Sequence, residues 1–273
     1  MGKKNRPTGP CALCSEVSQL HQSHIYPRFA YLDYLMDRVD PKPFYHAKGQ
    51  GSTVQQNLKT SKQQKPYLLC SECEDFFGKS ETKAKPLLLR VSTGSADFVS
   101  YEPWFFTFVS SIAWRVAHAA IPDLDAPDRN CLKPAARTWK SCLLALKAEA
   151  SVGIQRGYTH HCYVDRGVLD GVPILSKTFG AQFDFERGFI FWRLGPLTTF
   201  SLFDRRHFSA VDRARLSDSE VALGGGIVRE IERGRVEDIP RGFGEALNEY
   251  LESLMLSAQC ALQDQRSRSR GTV

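Results

Sequence analysis

The sequence predicts an α+β fold in which a small cysteine-bearing module precedes a larger domain of helices and antiparallel strands. Three observations lead to this prediction. Two Cys-x-x-Cys pairs lie between Cys11 and Cys73. Apolar residues recur at helical spacing after Pro103, and residues 170–205 alternate in the manner of strands.

The composition is that of a folded globular protein. Of the 273 residues, 42% are hydrophobic and 24% are charged, which excludes a disordered or fibrous chain. The longest uncharged aromatic run, at residues 104–114, has 11 residues, whereas a spanning helix needs about 20. No apolar segment follows the basic N-terminus, so we expect a soluble, cytoplasmic protein without a secretory signal.

Changes in composition divide the chain into four parts. Residues 1–10 are expected to form a flexible basic lead, and residues 11–90 the cysteine-bearing module. A polar cluster at residues 91–101 marks a boundary. Residues 101–262 then form an α+β accessory domain, and residues 263–273 a disordered basic tail.

Two helices are predicted in the module. Pro27 suits the first turn of a helix that runs to about Val39, and a second helix runs from Cys73 toward Thr82.

The accessory domain is expected to begin with two helices. The first opens at Pro103 and runs to about Ala120, and the second covers residues 135–150. Glu186-Arg187-Gly188 is expected to turn the chain between two strands, and a final helix spans residues 243–262.

The paired cysteines predict one metal site. Two residues between thiols allow a tight turn to aim both sulfurs at one ion, and two such turns complete a tetrahedron suited to zinc. A redox dithiol would explain one pair but not two. The remaining cysteines are interpreted as small buried hydrophobic side chains: Cys131, Cys142, Cys162 and Cys260.

Positive charge is concentrated near the N-terminus. Residues 1–100 carry 14 basic and 9 acidic side chains, against a net charge of +6 for the chain. Residues 41–71 contain five lysines and no acid. A polyanion is therefore the expected partner of this third of the chain.

The residues around the cysteines carry a family resemblance. SHIYP at residues 23–27 follows the first pair, and LCSEC at residues 69–73 contains the second. This arrangement resembles the HNH, or ββα-metal, endonuclease superfamily, in a divergent branch with SHIxP in place of Asp-His-Ile-x-Pro. The run at residues 106–116 is similar to a hydrophobic helix that follows the module in that branch. The resemblance covers residues 11–85.

The resemblance implies an N-terminal ββα-metal zinc module that hydrolyses phosphodiester bonds. His24 matches the general base that activates water. Glu74 takes the position after the last cysteine, and Glu81 lies two helical turns further on. These carboxylates would bind a catalytic divalent ion, Mg²⁺ or Mn²⁺. A structural Zn²⁺ would be held by Cys11, Cys14, Cys70 and Cys73.

Nucleic acid is the partner that the resemblance and the charge both favour, with DNA first. No membrane contact is expected, and a homodimer is an option. Restriction or defence against foreign DNA would be a natural setting. The expected backbone contacts come from basic side chains: Arg28, Lys59, Lys62, Lys65, Lys79, Lys83 and Lys85.

Several alternatives remain open at this stage. Ser23 stands where the family has an acidic metal ligand. The family's middle asparagine has no clear counterpart, although Asn57 lies in the right interval. His24 could instead be a zinc ligand or a buried structural histidine. Glu74 could instead be a carboxylate that stabilises the N-terminus of a helix through the helix dipole. The alternative function is a non-catalytic, zinc-stabilised module that binds nucleic acid or protein. His160 and its neighbour His161 are interpreted as structural.

Overall fold

A computed structural model describes residues 6–33, 66–92, 98–150, 158–165, 168–169, 172–173, 179–206, 208–229, 240, 241, 243 and 245. Helices and antiparallel sheets are both present, which confirms the predicted α+β composition. Among the described helices, none combines the length and apolar character that crossing a bilayer requires.

Two short strand pairs build the N-terminal part. Strand β1 (Thr8–Pro10) pairs with β2 (Val17–Gln19), and β3 (His21–Gln22) pairs with β4 (Tyr67–Leu69), both antiparallel. Residues 8–10, expected to belong to a flexible lead, thus form a strand. The Ala12 amide donates to the carbonyl of Leu68 at 2.9 Å, which joins the β1–β2 turn to β4.

Helix α1 (Arg28–Asp33) begins directly after Pro27, as predicted, because proline has the backbone angle of a first helical turn. The predicted end near Val39 lies outside the described residues.

Helix α2 (Ser71–Ser92) is longer than predicted and does not end near Thr82. Acidic residues in its first turn and Arg90 in its last favour the helix dipole. Its second half continues to bury apolar side chains, which explains the extension past Thr82: Ala84, Leu87, Leu88 and Val91.

Helix α3 (Trp104–Ala120) starts after Pro103, as predicted. Residues 105–117 are all buried, so the helix is covered on every side. It packs against α2 and against α4 (Ala126–Lys147). The buried apolar residues of all three helices belong to one continuous cluster, which also contains the cysteine-bearing part.

The prediction that the second helix starts near residue 135 is wrong, because α4 begins at Ala126. The Asp125 side chain accepts a hydrogen bond from the Asp128 amide at 3.0 Å, and Pro127 lies in the first turn. This is an ordinary N-cap with a first-turn proline, a local signal that outweighs the interior Pro134.

A four-stranded antiparallel sheet follows, in the spatial order β6, β11, β10, β9. These strands are β6 (His160–Val164), β9 (Phe179–Asp184), β10 (Phe189–Leu194) and β11 (Leu197–Leu202). The predicted turn joins β9 to β10, and Gly188 within it has φ +78°. A small hairpin precedes β9, formed by β7 (Val168–Leu169) and β8 (Val172–Pro173).

The predicted boundary contains β5 (Phe98–Tyr101), which pairs antiparallel with β12 (Gly226–Arg229) from far along the chain. Along the chain, helix α5 (Ala210–Ser219) comes after β11 and before β12. Nearly all of the predicted final helix at 243–262, and the tail at 263–273, lie outside the described residues.

Candidate metal centre and the residues around it

Four cysteine side chains meet at one point. Cys11 and Cys14 lie in the turn between β1 and β2, whereas Cys70 and Cys73 lie at the start of α2. Their four sulfur atoms all lie within 4.8 Å of one another. The β3–β4 pair and the bond from Ala12 to Leu68 bring these two distant turns together.

The spacing of the sulfurs fits a tetrahedral zinc ion. A tetrahedron with Zn–S bonds of about 2.3 Å has edges of about 3.8 Å. The Sγ atoms of Cys14 and Cys70 lie 3.8 Å apart. Four thiolates fill all positions of a tetrahedral ion, which is typical of a structural site and leaves no position for His24.

The backbone and a lysine add donors to the sulfurs. The Cys70 amide donates to Cys11 Sγ at 3.4 Å, and Lys147 Nζ donates to Cys73 Sγ at 3.6 Å. Burial raises the pKa of the Cys11 thiol, but backbone N–H donors, with Cys14 foremost, outweigh it and leave a pKa of about 7. Burial and the neighbouring sulfurs raise the pKa of Cys73. A bound cation would relieve this repulsion between sulfurs.

Ser23 connects the chain before His24 to α2. Its side chain is completely buried, and its hydroxyl donates to Oε1 of Glu74. The Ser23 amide donates to the Pro66 carbonyl at 2.9 Å. Burial raises the pKa of Glu74, and the hydrogen bond from Ser23 and the charge of Arg115 oppose that rise. Position 23 and the first turn of α2 are therefore in direct contact.

Arg115 of α3 contacts both His24 and Glu81. Its Nη1 donates to the His24 carbonyl oxygen at 2.8 Å, and its Nη2 lies 2.7 Å from Oε1 of Glu81. Glu81 is therefore engaged in an ion pair, and the main chain at His24 is held by the same guanidinium.

The predicted catalytic residues do not form a ligand cluster of the kind that the cysteines form. His24 is half-buried, as are Glu74 and Glu81. Within the described parts of the chain, the only group of three or more metal-ligating side chains whose ligand atoms lie together is the cysteine set.

The basic candidates are divided. Lys79 and Lys83 are exposed one turn apart on α2, and Arg28 is exposed at the start of α1. Arg90 adds a further exposed cation on α2, which the sequence interpretation did not include. Three candidates lie outside the described residues: Lys59, Lys62 and Lys65.

Arg115 is the functional candidate that sequence reasoning missed. The spacing of apolar residues predicts its helix but does not single out the arginine. The available signal was a single arginine within an otherwise apolar helix, since arginine is rarely buried without partners. Lys147 was missed as well, because no local pattern relates it to Cys73.

The two adjacent histidines of β6 are structural, as interpreted. His160 Nε2 lies 3.0 Å from Ser110 Oγ, and its Nδ1 lies 2.9 Å from Ser201 Oγ. His161 bonds Thr159 and Ser219. Burial lowers the pKa of both imidazoles to about 3, so both are neutral at physiological pH.

No family model, curated protein or solved structure matches this chain. The chemistry of the site therefore rests on its own geometry.

Proposed function

We propose that the protein is an HNH-like endonuclease that hydrolyses phosphodiester bonds in nucleic acid. The observation that supports this most is the contact between Ser23 and Glu74. It means that the residue before His24 touches the first turn of α2, where the HNH resemblance requires an imidazole and a metal-binding group to meet.

The order of elements supports the same proposal. Strands β3 and β4 pair and lead into α2, and the cysteines join the preceding turn to the start of that helix. This order of elements supports the ββα arrangement that we propose from the resemblance. Zinc on the four cysteines would fix the strand pair relative to the helix, and therefore His24 relative to Glu74.

In the proposed reaction, neutral His24 accepts a proton from the attacking water. Glu74 would hold a divalent ion, which, when bound, stabilises negative charge on the phosphate. A site with a single carboxylate fits Mg²⁺, because that ion keeps several waters and binds few protein groups. Ser23 orients the Glu74 carboxylate through its hydroxyl.

Exposed cations would hold the phosphate backbone. Lys79 and Lys83 lie four residues apart on an exposed face of α2, further along the helix than Glu74. Each would neutralise a phosphate without reading sequence. Arg28 would do the same from α1.

Cleavage of supercoiled plasmid with Mg²⁺ or Mn²⁺ tests the proposal. Wild-type protein should nick the plasmid, His24→Ala should lose about 100-fold or more in rate, and His21→Ala should stay within a few-fold of wild type. His21 is a matched control because it lies in the same module and its ring bonds Arg6 at 3.0 Å. Equal cleavage by wild type and His24→Ala would overturn the proposal.

The second candidate is a zinc-stabilised binding module without catalysis. It is favoured by the engagement of Glu81 with Arg115 and by the absence of a second ligand cluster within the described residues. It predicts binding of labelled duplex without cleavage in any metal. Replacing Lys79 and Lys83 with glutamine should then reduce the slope of log affinity against log salt by about one for each lysine.

A further inference from the structure

The guanidinium of Arg115 is a buried charge in an apolar helix. Its side chain is 3% exposed, and its neighbours along α3 are buried as well. An unpaired ion in such a place costs several kcal/mol. The groups that surround Arg115 therefore define what it does.

Hydrogen bonds, an ion pair and an aromatic ring fix this guanidinium. Nη1 donates to the His24 carbonyl at 2.8 Å, and Nη2 pairs with Glu81 at 2.7 Å. Nε donates to the Ser111 carbonyl at 3.2 Å, and the guanidinium carbon lies 5.2 Å from the centre of the Phe77 ring. A planar fork with these partners has a single orientation, which lysine cannot reproduce.

The main chain on both sides of the His24 side chain is consequently held. Ser23 is fixed from α2 and from Pro66, and the His24 carbonyl is fixed from α3. The imidazole therefore projects from a backbone segment with little freedom, and a general base needs that fixed origin because small displacements cost large factors in rate.

We propose that Arg115 is a positioning residue for His24, and that Glu81 orients Arg115 instead of binding a catalytic metal. This inference rests on the proposed nuclease function. It assigns the accessory domain a direct part in the site, since α3 supplies the group that holds the general base in place.

The test compares Arg115→Lys with Arg137→Lys, an exposed arginine on α4, in the full-length zinc-loaded protein. Arg115→Lys keeps a charge for Glu81 but cannot bridge to His24. We expect kcat to fall about 10- to 100-fold with KM unchanged, and Arg137→Lys to match wild type. Unchanged kcat in folded Arg115→Lys would overturn the proposal.

Glu81→Gln separates orientation from metal binding. A glutamine oxygen still accepts from Arg115, so the Mn²⁺ concentration for half-maximal rate should stay the same. If Glu81 were a metal ligand, that concentration would rise about tenfold or more. Such a rise would overturn the role assigned to Glu81.

A readout without activity separates this proposal from the nuclease proposal. The NMR ring signal of His24, assigned by its loss in His24→Gln, should shift or broaden in Arg115→Lys, whereas the His161 signal stays. This shift in a protein that cleaves nothing would support the positioning of His24 and reject the nuclease. A His24 signal identical in both proteins would reject the positioning role.

Discussion

Ser23 and Glu74 lie 51 residues apart and share a hydrogen bond, with the serine hydroxyl donating to the carboxylate. The serine is fully buried, and the carboxylate approaches it from α2. The HNH pattern has an acid directly before its histidine, and this chain has Ser23 there. The carboxylate of Glu74, from α2, contacts that serine.

The first prediction concerns Ser23→Asp, which places an acid where the HNH pattern has one. We expect this variant to lose about 3 kcal/mol of unfolding free energy, because two carboxylates would share a buried space. The double variant Ser23→Asp with Glu74→Ser should recover most of that loss. Urea unfolding of the single and double variants gives the coupling free energy. Strictly additive effects would contradict the contact.

The second prediction concerns the metal. Wild-type protein should contain one zinc ion per chain, and Cys73→Ser should lose it and unfold at a markedly lower temperature. Cys131→Ser is the matched control, because that thiol is exposed and outside the cluster. Metal analysis and thermal unfolding check both variants. Equal zinc content in Cys73→Ser and wild type would count against the site.

The third prediction concerns the turn between β9 and β10. Gly188 has φ +78°, and a Cβ there would collide with the backbone oxygen of Asp204. Gly188→Ala should therefore cost about 2 kcal/mol or more. Gly180→Ala, on the same sheet with no atom within 4 Å of its added Cβ, should be close to neutral. Chemical denaturation gives the free energy of unfolding of each variant. Equal losses in the two variants would contradict the prediction.

The fourth prediction concerns pH. Burial lowers the pKa of His160 and of His161 from 6.5 to about 3 in the folded protein. Burial is the largest cause at both residues, and the charge of Arg205 contributes to the lowering at His161. Between those pH values the unfolded chain binds more protons than the native one, so stability falls as pH decreases below about 6.5. Each histidine should contribute a slope of about 1.4 kcal/mol per pH unit.

Unfolding free energies measured from pH 6.5 to 5 check the pH prediction. His160→Gln and His161→Gln should each remove about half of the slope. An unaltered slope in both buried variants would show that other groups cause the acid sensitivity.

Local signals predicted the parts of this fold that depend on neighbours in sequence. The cysteine spacing, the start of α3 after Pro103 and the turn at Gly188 all follow from short-range chemistry. The start of α4 also has a local signal, because Asp125 caps the helix and Pro127 lies in its first turn.

Contacts between distant segments were not predictable in the same way. The pairing of β5 with β12 and the bonds from Arg115 to His24 and Glu81 join residues that no periodicity relates. Composition and periodicity predict individual elements, whereas their packing depends on such long-range contacts.

Residues 105–117 of α3 are buried, and part of this helix covers the cysteine-bearing segment. The Phe77 ring lies 6.1 Å from that of Trp114, and Arg115 reaches into the same place. A protein fragment that ends at residue 92 would expose the contact between α2 and α3 to water. It would also leave Glu81 without its partner Arg115. Recombination could therefore transfer the cysteine-bearing segment to another protein only together with α3.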